Sequence, residues 1–431
     1  MLYFLIKLMA ITAIRTFFNK ISAENVDYIA KDTPIIFTAN HPNTMMDPMI
    51  IGYTCKRKLH FFAKSTLFNN LIAGWFLRRI QIVPVYRKVD DPSKMDQNKE
   101  TFSKGYEILK QNKAFLIFPE GISTGDRKLS QIKTGAARIG FGAEAENDWQ
   151  LGVQIIPVGL NYANAIKFRS DVSTRFGQPI QLTDFRDVYE QNEKEAVHLV
   201  TEQIETALSK LTINLKDLEM QEIVEALERI YKQELAVDLG LETENKADDF
   251  SVTKGLINAV EWYYENEPSK VNEFKGMLNL YQRLLNRLQI KDEFLDPASS
   301  RVTFWERIKA ILYIIIMFPI YLYGLINNVI PYKFPRWYAR HFVQHKAEVA
   351  PWKMLSGTII FLIYYFIEII IFASLTGSFI WTFIYALSLI PSGNFVLQYI
   401  NRVSDYRQHL RFISIFYKKR TLIYELIKQR T

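Results

Sequence analysis

Two stretches near the end of the chain carry almost no charge, and they limit what it can fold into more than any other feature. Ala310–Ile330 runs 21 residues without a charged side chain, and Leu355–Ile400 runs 46 with only Glu368. As a helix the first would span about 31 Å, roughly one hydrocarbon core. The second is interrupted by Thr376-Gly377-Ser378 and by Pro391-Ser392-Gly393. Its length suits two helices joined at the Thr-Gly-Ser turn. A water-soluble all-helical core is the competing reading, and uncharged runs of this length weigh against it. A mean hydropathy of −0.04 is too low for a simple polytopic membrane protein. A soluble part must therefore be joined to the apolar one.

Charge divides the chain in the same way. The formal net charge of +8 conceals +9 over residues 1–180, −12 over 181–300 and +11 over 301–431. A nucleic-acid binder concentrates its basic charge on one module with a recognisable reading motif. No such motif occurs, so nucleic acid is not an expected partner. Basic residues flank the apolar runs instead: Arg301, Arg307 and Lys309 before the first, Lys333, Arg336, Arg340, Lys346 and Lys353 between the two, and eight more after residue 400. That pattern fits the anionic headgroups of membrane lipids. Basic flanks favour the cytoplasmic side, and three full crossings would put two of them outside. The expectation is that 310–330 is re-entrant or interfacial, bent at Pro319, with a transmembrane helix as the alternative. Residues 355–400 then form a transmembrane hairpin ahead of a basic tail, within a membrane-associated region 301–431. Residues 1–20 are apolar with isolated Lys7, Arg15 and Lys20, which reads as a membrane-interface helix. A buried N-terminal helix is the alternative.

Residues 21–185 alternate short β-rich runs with helical stretches. Strands are expected at 34–39, 59–63, 80–86, 114–118, 154–160 and near 173–180. Helices are expected at 48–55, 92–111 and 134–147. The alternation predicts an α/β domain, a sheet flanked by helices. Residues 186–300 read as an acidic α-helical accessory region with a polar break at 242–249 and no chemistry of its own. The fold class is thus α/β, followed by an α-helical region and C-terminal membrane helices. Cys55 is the one cysteine, which rules out an internal disulfide and a multi-cysteine zinc site. Neither a metal nor a cofactor is expected.

Four segments of the α/β region carry the chemistry. Asn40-His41-Pro42-Asn43-Thr44-Met45-Met46-Asp47-Pro48 directly follows a strand, the usual place for reactive groups in α/β folds. Its two prolines favour a turn, so His41 and Asp47 can meet as a general base and its orienting carboxylate. Asp47 before Pro48 also reads as a helix N-cap. Ile82–Arg87 is a strand ending in Arg87, which can hold phosphate in a bidentate pair. Phe115–Thr124 is an apolar strand ending in Pro119-Glu120-Gly121, followed by Lys133. Glycine there lets a ligand approach the backbone, Glu120 can accept from a polyol hydroxyl, and Lys133 adds positive charge. Ile155-Ile156-Pro157-Val158-Gly159 is a strand expected to line the same site.

The order NHPNTMMDP, IVPVYR, FPEGIST…KTG and IIPVG resembles the four blocks of the PlsC-type glycerol-phosphate and lysophospholipid acyltransferases, over about residues 30–180. Most of that family has four residues between the histidine and the aspartate; this chain has five, as in the yeast-type glycerol-3-phosphate/dihydroxyacetone-phosphate branch. FPEGIST lacks the arginine of the common ending, and Arg127 is the candidate substitute. The resemblance implies transfer of an acyl group from acyl-CoA or an acyl-carrier protein to a phosphorylated glycerol-type acceptor. His41 and Asp47 would be catalytic. Asn43, Arg87, Glu120, Gly121, Ser123 and Lys133 would bind substrate, with the catalytic domain on the cytoplasmic side of the membrane. An acyl-enzyme is disfavoured because Cys55 lies in none of the blocks. Two rivals remain: acylation of a 1-acylglycerol-3-phosphate or other lysophospholipid, and a non-catalytic lipid-binding membrane protein.

Overall fold

Ile35–Ala39 has one hydroxyl and four apolar side chains, a composition suited to burial on both faces. In the computed structural model it is such a strand, β2, with all five residues buried. The structure describes residues 2–79, 82–86, 96, 98–215, 218–241, 246–288 and 304–418. Around β2 are β1 (Ile21–Glu24), β3 (Leu59–Lys64), β4 (Ile82–Val85), β5 (Ala114–Ile117), β6 (Gln154–Tyr162), β7 (Val172–Phe176) and β8 (Ile180–Gln181). They form one sheet in the order β1-β7-β6-β2-β5-β3-β4, with β8 also on β6. The run β6-β2-β5-β3-β4 is parallel. β7 and β8 are antiparallel to β6.

Helices cover both faces, as parallel strands require. On one face α1 (Leu2–Phe17) contributes Ile14 and Phe17, and α2 (Met46–Thr54) contributes Met46, Ile50 and Ile51, against Phe37 and Ala39. On the other, α4 (Asn98–Lys110), α5 (Gly135–Ala145) and α7 (Glu193–Leu211) bury Leu109, Ile139, Phe141, Val200 and Ile204 against Ile36 and Phe115. Each such side chain contributes about 1.5–3 kcal/mol by leaving water. Between β3 and β4 lies α3 (Leu71–Arg79), and between β8 and α7 lies α6 (Arg186–Gln191).

The expected strand near 173–180 is two strands, because Gly177-Gln178-Pro179 separates β7 from β8. The C-terminal part of α1 packs into the core through Ile14 and Phe17, while Leu8 and Met9 are exposed. The compact unit holding the sheet comprises Met1–Lys216 together with His341–Met354. It therefore runs past residue 185, because the apolar face of α7 completes one side of the sheet. His341–Met354 joins it by burying Ala350 and Met354 in the cluster that holds Phe37 and Met46.

The second unit comprises Asp217–Arg340 and Leu355–Thr431. It contains α8 (Leu218–Asp238), α9 (Lys246–Asn266) and α10 (Pro268–Leu288), and most of α11 (Phe304–Phe342), α12 (Val349–Thr376) and α13 (Phe379–Lys418). Among the described residues, three helices are long and apolar enough to cross a membrane: Ile308–Phe342, Lys346–Thr376 and Phe379–Arg407. Gly377, at φ 60°, makes the turn between α12 and α13. Pro391 does not end α13.

Contacts of α11 follow an instructive course. The Tyr399 hydroxyl donates to the Ile314 carbonyl at 2.8 Å. The Tyr385 hydroxyl donates to Asn327 Oδ1 at 2.7 Å, and that of Tyr365 to Asn328 Oδ1 at 2.5 Å. Pro335 then lies against Gly357. Contact thus moves from the middle of α13 toward the tip of the hairpin at Asn327–Asn328, and back toward the start of α12. The helix is continuous through Pro319, Pro331 and Pro335, but Pro331 leaves the Asn327 carbonyl without its helical donor, a usual cause of bending.

Gly159 of β6 sits so close to α7 that an added Cβ would lie 2.3 Å from the Leu211 carbonyl oxygen. Gly159→Ala should therefore displace the end of α7 and lower the thermal midpoint by several degrees. Gly255→Ala, in α9 with nothing within 4 Å, should be neutral or stabilising by up to about 1 kcal/mol. Thermal unfolding of the two variants in detergent checks the contrast.

Candidate active site

The C-terminal ends of β2 and β5 lie side by side in the parallel sheet, so the segments that leave them share one end of it. Asn40 closes β2 by exchanging two hydrogen bonds with Leu160 of β6, at 3.0 and 2.7 Å. The chain then turns through His41–Met45 into α2. His41 Nδ1 lies 2.8 Å from Asp47 Oδ2. The same oxygen accepts the Asn43 N–H at 2.7 Å, and Oδ1 accepts the Tyr162 hydroxyl at 2.5 Å. Asp47 is 0% exposed and the His41 side chain 19%. A buried carboxylate is costly unless it is hydrogen-bonded, and this one has three donors. Because a carboxylate only accepts, the His41 proton is held on Nδ1 and Nε2 keeps its lone pair. The Phe118 ring stacks on the imidazole at 3.8 Å.

α2 begins at Met46, with Met45 at its N-cap. Asp47 is therefore a first-turn residue and not the cap. Pro48 still fits, since N–H groups in the first turn lack helical partners.

Glu120 ties the second loop to the first. Its Oε1 accepts the His41 N–H at 2.8 Å and its Oε2 the Ser130 N–H at 2.9 Å. Burial raises its pKa above 4.5, and the two amide hydrogen bonds oppose that shift. Ser123 Oγ accepts the Thr44 N–H at 3.1 Å. Gly121 has φ +71°, and an added Cβ would lie 2.5 Å from Lys133 Nζ. The ammonium group of Lys133 is thereby held against the Pro119–Gly121 loop. Asn43 is fully buried and donates from Nδ2 to the Ala165 carbonyl at 2.9 Å, so it braces the turn from behind. Arg127 donates to the Tyr162 and Ala163 carbonyls at 3.1 and 2.7 Å, which makes it a clasp on the end of β6. Arg87 lies outside the described residues. Among the described residues, no three His, Cys, Asp or Glu side chains gather as a metal site would require.

Two contributors went unread in the sequence. Tyr162 follows Ile156, Val158 and Leu160 on one face of β6, so a period of two, carried past Gly159, points to it. Burial first, and the Asp47 charge second, push its hydroxyl well above 10, so it remains a donor across ordinary assay conditions. The second is His341–Met354. Its Ala347 carbonyl accepts from Thr44 Oγ1 at 3.1 Å, Lys346 pairs with Asp126 at 2.9 Å, and Lys353 donates to the Ile166 carbonyl at 3.0 Å. No local signal marks this segment, because its partners lie some 190 to 300 residues away in sequence.

Residues 20–161 match the family model described as Acyltransferase. The match covers about a third of the chain. The chain is 25% identical over 283 residues to "Glycerol-3-phosphate O-acyltransferase 1" of Saccharomyces cerevisiae, covering 62% of this chain and 36% of that protein. It is 32% identical over 136 residues to "Glycerol-3-phosphate O-acyltransferase 2" of the same yeast, covering 31% and 18%. To the "1-acyl-sn-glycerol-3-phosphate acyltransferase" of Streptococcus pneumoniae it is 28% identical over 192 residues, covering 43% and 64%. The chain thus spans about a third or less of the two yeast relatives. The part that the family model matches shares the chain with helices long and apolar enough to cross a membrane.

Tyr162→Phe would leave one oxygen of the buried Asp47 without its donor. The expected cost is about 1–3 kcal/mol, measurable as a lowered midpoint of thermal unfolding. Tyr86→Phe, at a residue that bonds the Asn98 side chain through its own backbone N–H and C=O, should leave the midpoint unchanged.

Proposed function

We propose that this protein transfers a fatty acyl group from an acyl thioester to a hydroxyl of glycerol-3-phosphate or dihydroxyacetone phosphate at a membrane. The observation that carries the reading is the buried Asp47 carboxylate, whose hydrogen bond to His41 Nδ1 leaves Nε2 as a base at the end of β2. In this reading Nε2 removes the acceptor hydroxyl proton and Asp47 steadies the resulting imidazolium. The alkoxide then attacks the thioester carbonyl directly, and His41 returns the proton to the departing thiolate. Acid–base assistance of this kind is worth about 10²–10⁴ in rate. Lys133, beside Gly121, and Arg87, which follows β4 in the sequence, are the candidates for the acceptor phosphate. Glu120 and Gly121 shape that site, and Ser123 and Asn43 hold the catalytic turn against it. The five-residue spacing from His41 to Asp47 and the likeness to the yeast proteins favour the glycerol-3-phosphate/dihydroxyacetone-phosphate branch. The likeness to the pneumococcal protein favours a second reading, acylation of a 1-acylglycerol-3-phosphate.

The contacts of α11 favour a re-entrant course, turning near Asn327–Pro331 rather than at Pro319. The linker to α12 folds as part of the catalytic unit, and it is basic, as cytoplasmic flanks are. In this reading α12 and α13 alone cross the bilayer, and the C-terminus shares a side with the catalytic unit.

Purified protein assayed with glycerol-3-phosphate, dihydroxyacetone phosphate and lysophosphatidate, each with acyl-CoA and acyl-carrier-protein donors, separates the two readings. His41→Ala should abolish transfer, and Asp47→Asn should reduce kcat by up to about 10⁴ through the wrong tautomer. Full activity in His41→Ala would end the mechanism. Cysteines introduced at residue 344 and after residue 425 should both react with an impermeant maleimide from the cytoplasmic side alone; labelling of either from the opposite side overturns the topology.

A further inference from the structure

On the catalytic unit, large exposed apolar side chains gather at one end of the sheet. The 3-10 turn Ser65–Phe68 leaves the C-terminal end of β3 and leads into α3. Leu67 in that turn is exposed, and on α3 so are Leu71, at 90%, and Trp75, at 61%. Leu71 and Trp75 are one helical turn apart and share a face. Arg78 follows three residues later and Arg79 beside it, both exposed. Met45 and Ile122 are also exposed, on the loops that leave β2 and β5. Since β2, β5 and β3 are consecutive and parallel, these loops leave the same end of the sheet, the end that carries His41. Scattered exposed leucines need no explanation; apolar side chains gathered beside basic ones do.

We propose that this end of the sheet docks on the bilayer surface, with Leu71 and Trp75 at the boundary of headgroups and acyl chains and Arg78 and Arg79 on anionic headgroups. A lipid surface fits better than a protein partner for three reasons. The chain brings its own helices of membrane length, so a bilayer is at hand. Leucine and tryptophan followed by arginine is the composition of an interfacial helix. Finally, α3 has nine residues and is about 13 Å long, so its face falls well short of the ~800 Å² per partner of a stable protein interface. The docking does not depend on the acyl-transfer reading. If that reading also holds, an acylated product formed at His41 leaves sideways into the bilayer without crossing water.

The test uses the full-length protein in phosphatidylcholine vesicles with and without phosphatidylglycerol. A cysteine at position 71 or 75 is labelled with NBD, and Lys104, exposed on α4, provides the aqueous control position. Cys55 is buried, and the unsubstituted protein reports its background labelling. Labels at 71 and 75 should be blue-shifted and quenched by doxyl-lipids, while the label at 104 is neither. Arg78→Glu/Arg79→Glu should abolish the dependence of the shift on phosphatidylglycerol. Labels at 71 and 75 as aqueous as the one at 104 would overturn the proposal. So would disulfide capture between two copies through position 71, which would assign the face to self-association. A phosphatidylglycerol dependence unchanged by the double reversal would overturn the headgroup assignment. None of these readouts needs turnover, so the docking and the acyl-transfer reading can fail separately.

Discussion

Three hydrogen bonds to one buried carboxylate organise the end of the sheet that carries His41. Asp47 is out of reach of water, so each donor it recruits is a structural requirement and not an ornament. The Asn43 amide closes the turn, the Tyr162 hydroxyl anchors it to β6, and the imidazole of His41 takes the remaining direction. The ring has little freedom to choose another orientation, because Phe118 stacks on its face. What would otherwise be an exposed histidine on a loop becomes a group fixed to two strands and a helix. Precision of this kind comes from packing around the reactive group more than from the group itself.

Around that centre the site is assembled from pieces distant in the chain. Glu120 spans the two loops by accepting one amide from each. Thr44, with φ 32°, is the residue of the turn in the left-handed region, a conformation that costs energy unless its surroundings hold it. They do so twice: its amide donates to Ser123 and its hydroxyl to Ala347. The first bond ties the turn to the Pro-Glu-Gly loop, and the second ties it to the stretch between two apolar helices. Through Thr44 the geometry of the turn is linked to a part of the chain that carries no reactive group.

Much of this was legible in the residues. The His41–Asp47 pairing follows from two prolines in a short turn, and the central strands follow from their unbroken apolar runs. The hairpin joint at Gly377 follows from the Thr-Gly-Ser break near the middle of a long apolar stretch. What was not legible depends on long-range contact. Glu120 reads as a ligand for a hydroxyl, and nothing local shows that its two oxygens also hold the His41 and Ser130 amides. Arg127 reads as a replacement cation until its guanidinium is found on two carbonyls. Asp47 reads as a helix cap until α2 is seen to begin at Met46, with its cap two residues earlier than Asp47, at Met45. β1 and α3 are short and lack a clear apolar period, so only their neighbours define them. The course of α11 is a further case: three prolines offer three places to bend, and only contacts with α12 and α13 distinguish among them.

The presence of Ala350 and Met354 in the core beneath the His41 turn bears on how the protein is made. A ribosome delivers the sheet, α1 and α2 long before it delivers residue 354. Until then the core lacks two of its apolar side chains, and the turn lacks the Ala347 carbonyl. The unit that holds the sheet is therefore complete only once residue 354 is in place. Its completion waits until α11 has emerged and α12 has begun, so maturation of the site is coupled in time to engagement of the membrane helices.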